Sequence, residues 1–402
     1  MKRKIWISMM IGLIATVLGA CGNAQAPAVL EEPAGDGQTS PAGQEVPLDY
    51  AEGFSLTQME DGCTLITISD GGRFLVVPEG AKVPDDVEEG TAVVEQPVEQ
   101  IYLAATAVMD MFTSIGGLDA IRLSGTKEDG WYIPEAREAM ASGAIVYAGK
   151  YNMPDYERIL REGCSLAVES TMIYHAPEVK EKLEALGIPV LVDRSSYEPH
   201  PLGRTEWVKL YGALLGREEE AEAVFQKQKE ALRSVEQEEP TGKTVAFFYI
   251  TSAGSVSVRR SGDYVPKMIQ LAGGTYIFSD LGDDSAASSV NMQMEEFYAR
   301  AKDADYLIYN STIDGELHTR EALLQKSPLL AEFPAFSEGR VFCTTQNLYQ
   351  ESMKTGEFVR DVHRMLTMER GAETAEERAE ETSGERAEET TDEAFTYLFP
   401  ME

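Results

Sequence analysis

The sequence has few of the residues on which most active sites and metal sites depend. It contains only four cysteines and four histidines, and their spacing matches neither a zinc site nor a disulfide framework. It has no GxSxG nucleophile motif, no phosphate-binding P-loop and no GxGxxG dinucleotide motif. We therefore predict no intrinsic metal or cofactor, and no motif of these kinds predicts an enzyme.

Positive charge is also scarce. The chain has 35 Lys and Arg residues against 68 Asp and Glu residues, a formal net charge of −33 at pH 7. So acidic a protein is a poor candidate for binding nucleic acid or an anionic membrane surface. We expect no nucleic-acid partner, and we take a monomer as the default oligomeric state.

Residues 1–20 have the features of a secretory signal peptide. Three basic residues at positions 2–4 precede an apolar run of about 15 residues, which is too short for a comfortable membrane span. The run ends in LGAC at positions 18–21, which resembles the bacterial lipobox. The resemblance implies lipidation of Cys21 and anchoring on the outer face of the cytoplasmic membrane. A plain signal peptide followed by a chance cysteine is the alternative.

Composition separates the flanking segments from the centre of the chain. Residues 21–48 are rich in Ala, Pro and Gly without periodicity, which predicts a flexible tether. Residues 49–97 carry short strand-like runs and predict a small β-rich lead-in. Residues 369–402 predict an acidic, low-complexity tail, whose apolar positions 395–399 are able to dock back onto the fold.

The central residues alternate strand and helix patterns in two stretches, 98–216 and 240–368. This alternation predicts βαβ units, parallel sheets with covered faces and an α/β fold. Residues 157–183 and 295–324 also share one local order, a helix opening on glutamate, an apolar strand, Ser-Thr, a loop and a helix. The repeat favours two α/β lobes.

The longest helical pattern lies at residues 201–238, between the two stretches. Its apolar residues recur at steps of three and four, and Gly216 divides it because glycine is unfavourable inside a helix. A helix between two α/β halves predicts a stiff connector between two lobes. An ordinary helix inside one larger domain is the alternative.

Aromatic and cationic residues recur in the loops predicted to follow the strands. In open α/β sheets, ligands bind at the carboxyl ends of the strands. Aromatic walls with a few arginines suit a large, flat, partly anionic ligand in a cleft between the lobes. The predicted ligand-binding residues are Trp131, Tyr132, Tyr151, Tyr174, His175, Arg204, Arg259, Arg260, Tyr264, Asn310 and Tyr349.

Over residues 98–368 the chain resembles the substrate-binding lipoproteins of ABC importers for iron–siderophores, cobalamin and haem. The resemblance implies two α/β lobes joined by one long rigid helix, without catalysis. It narrows that helix to the second piece of the helical pattern, residues 217–239. It also implies a metal chelate as ligand, first an iron–siderophore and otherwise haem or cobalamin, and a permease with its ATPase as partners. It is carried by the segments at 154–160 (PDYERIL), 169–193, 200–216, 263–274 and 294–310.

In that family, one glutamate on each lobe contacts arginines of the permease. Glu157 matches the first of these, and Glu295 matches the second, with Glu296 as the alternative. An exposed carboxylate is able to accept an arginine fork, which suits this role. Residues 49–97 and 369–393 lie outside the family pattern, and Ser165 stands where the family often has an aspartate. The ligand loops therefore cannot be transferred residue by residue.

Two other functions fit the same sequence less well. A zinc- or manganese-binding lipoprotein of similar fold would need a cluster of histidines and carboxylates, and the four histidines are scattered. A surface α/β hydrolase would need a nucleophile with a neighbouring base, and no motif supplies one.

Overall fold

The computed structural model describes residues 43–236, 238–282, 288–368 and 394–402. The predicted signal peptide, the lipidation site Cys21, most of the predicted tether and the acidic repeats at 369–393 lie outside these residues. No helix in the described part of the chain combines the length and apolar character needed to cross a membrane.

The N-terminal sheet has five strands in chain order, antiparallel except for the last pair. The predicted β-rich segment therefore forms a sheet, but strand formation begins earlier than predicted. Residues 43–46 were expected in the flexible tether and instead pair with the second strand, so any tether ends before them. The strands are β1 (Gly43–Val46), β2 (Phe54–Met59), β3 (Thr64–Ile68), β4 (Arg73–Val77) and β5 (Ala92–Glu95).

The first α/β sheet has five parallel strands in the order β12-β11-β6-β7-β8. Its strands are β6 (Ile101–Leu103), β7 (Ile121–Ser124), β8 (Val146–Tyr147), β11 (Ala167–Ser170) and β12 (Val190–Asp193), and a separate ribbon contains β9 (Gly149–Lys150) and β10 (Met153–Pro154). Its helices are α1 (Val108–Ser114), α2 (Pro134–Ala141), α3 (Tyr156–Arg161) and α4 (Pro177–Ala185).

Three helices follow, α5 (Pro201–Glu206), α6 (Val208–Leu215) and α7 (Glu218–Glu236). The predicted break is present, because α6 ends at Gly216 in the left-handed conformation with φ of 66°. Along α7 the fully buried residues Ala221, Phe225 and Leu232 form the predicted apolar stripe. In chain order α7 connects the first α/β sheet to the second.

The second α/β sheet has the strand order β16-β14-β13-β17-β18-β19, with β15 beside β13. The prediction of a parallel sheet is wrong here. The sheet is mixed, because β14, β16 and β19 run antiparallel to their neighbours. Its strands are β13 (Thr244–Ile250), β14 (Val256–Arg259), β15 (Thr275–Tyr276), β16 (Ser289–Met292), β17 (Tyr306–Tyr309), β18 (Val341–Thr344) and β19 (Leu398–Pro400). Its helices are α8 (Tyr264–Leu271), α9 (Met294–Ala301), α10 (Arg320–Lys326), α11 (Pro334–Ser337) and α12 (Thr355–Thr367).

Two buried glutamates attach the N-terminal sheet to the helix α5 region. Glu206 accepts the backbone N–H groups of residues 49, 50 and 51 at 2.7–2.8 Å. Glu198 accepts those of residues 52 and 53 at 2.8 and 2.9 Å, and also the indole N–H of Trp207. We call this arrangement the N-terminal clamp. Its hydrogen bonds replace the ones that the carboxylates would make with water. Burial of a carboxylate without such replacements is strongly unfavourable.

One buried aspartate attaches the C-terminal strand in the same way. Asp361 of α12 accepts the backbone N–H groups of Thr396, Tyr397 and Leu398 at 2.9, 2.5 and 3.2 Å. The strand β19 then pairs antiparallel with β18. The prediction that the apolar residues near the C-terminus dock onto the fold is confirmed.

Candidate functional site

The loop after β18 joins the second α/β sheet to loops of the first. The Gln350 side chain accepts the backbone N–H of Tyr132 at 2.7 Å and donates to the carbonyl of Gly130 at 2.8 Å. The backbone N–H of Met353 donates to the Asp110 carboxylate at 2.7 Å. Burial raises the pKa of Asp110 to about 6, and the Met353 amide opposes that shift. This junction brings loops at the carboxyl ends of β6, β7 and β18 together.

Four of the predicted ligand-binding residues meet at this junction. The Arg204 guanidinium lies 4.2 Å from the ring centroid of Tyr264 and donates to the carbonyl of Tyr349 at 3.3 Å. Arg259 donates to the Tyr349 hydroxyl at 2.5 Å. The two tyrosine rings pack edge to face with centroids 6.2 Å apart. We call these four residues the arginine–tyrosine cluster; α5, β14, α8 and the loop after β18 contribute to it.

The two arginines of the cluster differ in their carboxylate partners. Arg259 has a carboxylate partner, Asp263, at 3.4 Å. Burial raises the pKa of Asp263, and the charge of Arg259 opposes that shift. Arg204 is only 3% exposed, its Nε has no hydrogen-bond partner, and no carboxylate of the described residues lies within ion-pairing distance of it. A buried arginine without a carboxylate partner suits an anionic ligand group.

The tyrosines of the cluster are hydrogen-bonding groups and not charges at neutral pH. Burial raises the pKa of both Tyr264 and Tyr349 above the ordinary value for tyrosine. Their phenol groups therefore stay protonated, and each ring offers an aromatic face with a polar edge. This chemistry fits a partly aromatic ligand that carries an acidic group.

Other predicted ligand-binding residues lie apart from the cluster. Trp131 is 1% exposed and donates its indole N–H to Ser124, so it lies in the core. Asn310 is buried, and its side-chain oxygen accepts two hydrogen bonds from Thr312, which shape the turn after β17. Arg260 donates to the carbonyl of Leu281. Tyr132 contributes only its backbone N–H to the junction and its side chain is exposed, while His175 is exposed and Tyr151 is half-buried.

Tyr174 faces the N-terminal sheet. Its hydroxyl donates to Asp70 in the β3–β4 turn at 2.7 Å, and Arg194 donates to that hydroxyl at 3.3 Å. A groove of about 700 Å³ opens here between the N-terminal sheet and the segment formed by α4 and β12. It contains Tyr174 but no residue of the arginine–tyrosine cluster.

The three glutamates proposed for docking lie in first turns of helices and are exposed. Glu157 is in α3, whose N-terminus is capped by Asp155 through the Arg158 amide. Glu295 and Glu296 are adjacent in α9. Because both remain exposed, the structure does not choose between them.

Sequence reasoning missed Asp263 and Gln350. Asp263 had a local signal, since an aspartate immediately before a helix is a common N-cap, and its side chain accepts the Val265 amide. Gln350 had none, because its partners lie 218 and 220 residues away along the chain. No group of three or more His, Cys, Asp and Glu side chains within the described ranges is arranged to hold a metal ion.

Comparison with known proteins gives a consistent result. A family model described as periplasmic binding protein matches residues 105–348. An uncharacterised lipoprotein of Methanocaldococcus jannaschii is 28% identical over 316 residues, covering 74% of this chain and 72% of the relative. A second one from the same organism is 26% identical over 337 residues, covering 79% and 82%.

Solved structures share the fold at low identity. A periplasmic haem-binding protein of Vibrio cholerae superposes with a TM-score of 0.54 at 17% identity, covering 67% of this chain and 99% of that one. A protein of an Fe³⁺-hydroxamate transport system from Saccharomonospora viridis gives 0.55 at 19%, covering 68% and 94%. A vitamin B12-binding protein of Vibrio cholerae gives 0.50 at 18%, covering 67% and 97%.

Proposed function

This chain belongs to the periplasmic binding protein family, and from that membership we propose that it captures a metal chelate and delivers it to an ABC importer. The family match confirms the predicted resemblance and the predicted α/β class. It also confirms a binding protein and not an enzyme. The chelate occupies the cleft between the two α/β sheets, and α7 acts as the rigid connection between the lobes.

The arginine–tyrosine cluster is the observation that supports this ligand class. It presents aromatic rings beside Arg204, a buried cation with no carboxylate in ion-pairing range among the described residues. An iron–siderophore is the first choice, and haem and cobalamin are the alternatives. Three structures that share the fold come from proteins named for haem, hydroxamate-bound iron and vitamin B12.

Delivery requires docking and an extracytoplasmic position. Glu157 and Glu295, with Glu296 as the alternative, are the carboxylates that meet arginines of the permease, whose ATPase drives import. Lipidation at Cys21 holds the protein, as a monomer, on the outer face of the membrane. The lipoprotein names of the two relatives support this location.

A ligand titration tests the proposal. Purified protein is titrated with a ferric hydroxamate siderophore, haem and cyanocobalamin, and absorbance and tryptophan fluorescence are followed. We expect saturable binding of one of them with a Kd of about 1 µM or tighter. Failure of all three to bind would contradict the proposal.

Two variants locate the site. Arg204→Gln is expected to weaken that binding about tenfold or more, because the anionic group loses its cation. Tyr349→Phe removes the hydroxyl that Arg259 contacts and provides a milder change if Arg204→Gln does not fold. Lys302→Gln, at an exposed position near the end of α9, is the control with the same loss of charge. Equal affinities in all variants would place the ligand elsewhere.

A further inference from the structure

The groove beside the N-terminal sheet has the size and walls of a ligand site. Its volume of about 700 Å³ falls within the range of small-molecule sites. One wall contains the β3–β4 turn and the beginning of β5, and the other contains α4 and β12. Gly71 and Gly90 line it at positive φ, and open space lies where a Cβ would project.

Three cations line this groove, and one has no acidic partner. Arg194 is half-buried, and no carboxylate in the described ranges lies within ion-pairing distance of it. Its hydrogen bond to the Tyr174 hydroxyl uses one of the five guanidinium donors. Arg194 therefore retains donors for a ligand.

The other two cations, Arg73 and Lys180, have partners that are easily exchanged. Arg73 pairs with Glu88, whose side chain is 65% exposed, and Lys180 pairs with Glu184, which is 42% exposed. Such surface pairs contribute about 1 kcal/mol or less. An anionic ligand is able to compete for both cations.

The charge of the groove differs from that of the chain as a whole. Its lining contains three cations and two carboxylates, those of Asp70 and Glu184, within a chain of net charge −33. Asp70 accepts a hydrogen bond from the Tyr174 hydroxyl and thereby positions the oxygen to which Arg194 donates. With Glu88, which pairs with Arg73, the groove has as many carboxylates as cations, and a locally neutral groove on so acidic a protein is more favourable for anions than the rest of the surface.

We propose that this groove is a second ligand site, for a small multivalent anion that carries carboxylate or phosphate groups. Arg194 binds one anionic group through its guanidinium fork. Arg73 and Lys180 bind a second group from opposite walls. The site is separate from the arginine–tyrosine cluster, because none of the four cluster residues lines the groove.

Calorimetric titration of the full-length chain at low ionic strength tests this proposal. The probes are citrate and inorganic phosphate, with glucose as a neutral control. We expect saturable binding of at least one anion and none of glucose, and the tighter anion identifies the preferred acidic group. Arg194→Gln should weaken the binding about tenfold or more, and Lys302→Gln should leave it unchanged.

Lys180→Gln is a second variant that leaves the Tyr174–Arg194 contact intact and should also weaken binding. Absence of saturable binding to both anions would overturn the proposal, as would equal affinity in the wild type and both groove variants. The chelate titration should be unaffected by these variants. A failure of the groove proposal is therefore distinguishable from a failure of the proposed function.

Discussion

Both ends of the described chain are attached to the fold by buried carboxylates that accept backbone N–H groups. The N-terminal attachment is the larger of the two. The N-terminal clamp uses two glutamates, Glu198 and Glu206, and five successive backbone amides to hold a five-stranded sheet. At the C-terminal end, Asp361 alone holds one strand through three amides. In both places a buried carboxylate receives a run of N–H groups that would otherwise lack partners.

Another buried carboxylate, without such amides, shows what they contribute. Glu169 on β11 is 0% exposed, and neither of its oxygens has a hydrogen-bond partner. Burial raises its pKa to about 8. Burial raises the pKa of Asp361 only to about 6, because its three backbone amides and, to a smaller extent, the charge of Arg360 favour the charged form. Backbone amides therefore help to keep a buried carboxylate ionised at neutral pH.

The largest effect is expected from Glu206→Ala in the N-terminal clamp. This change leaves three backbone amides and the largely buried Lys209 without their carboxylate partner, and it should lower the free energy of unfolding by about 3–5 kcal/mol. Urea denaturation measures the loss. Glu222→Ala is the matched control, because Glu222 also pairs with Lys209 but is 50% exposed, and it should cost about 1 kcal/mol or less. Equal losses in the two variants would show that the clamp contributes nothing beyond its ion pair.

A smaller effect is expected from Asp361→Ala, because it releases one strand and not a sheet. The free energy of unfolding should fall by about 2–3 kcal/mol. Hydrogen exchange should show lost protection at Thr396, Tyr397 and Leu398, with the amides of residues 49–53 unchanged. Asp303→Ala, at an exposed position, is the control. Loss of protection at both ends would show that the two attachments are coupled. It would contradict the view that each attachment holds only its own segment.

The smallest effect is expected from Glu169→Gln and appears as a pH dependence. The folded carboxyl stays protonated up to about pH 8, whereas the unfolded one ionises near its ordinary pKa of 4.5. The unfolded chain thus binds fewer protons, so this group's contribution to stability is full below pH 4.5 and falls as pH rises towards 8.

The stability of the wild type relative to Glu169→Gln should therefore fall by about 1.4 kcal/mol between pH 6 and pH 7. Urea denaturation of both proteins at the two pH values measures the difference. If the free energies of unfolding of the two proteins changed equally between the two pH values, Glu169 would have a stabilising partner in the fold.

Local pattern was sufficient for the elements with strong periodicity. The helical pattern predicted at 201–238, with its break at Gly216, corresponds to α5, α6 and α7. Local pattern does not place short strands such as Ile121–Ser124, because four residues carry too little alternation to distinguish a strand from a loop.

The sequence by itself determined the two alternating α/β stretches, the glycine break before α7 and the resemblance to a binding-protein family, because these depend on neighbouring residues. Only the tertiary structure decided which loops meet. Arg204 and Tyr349 are 145 residues apart and come together, whereas Tyr174 turns to Asp70, 104 residues away. Such contacts depend on how sheets and helices pack, so no local pattern encodes them.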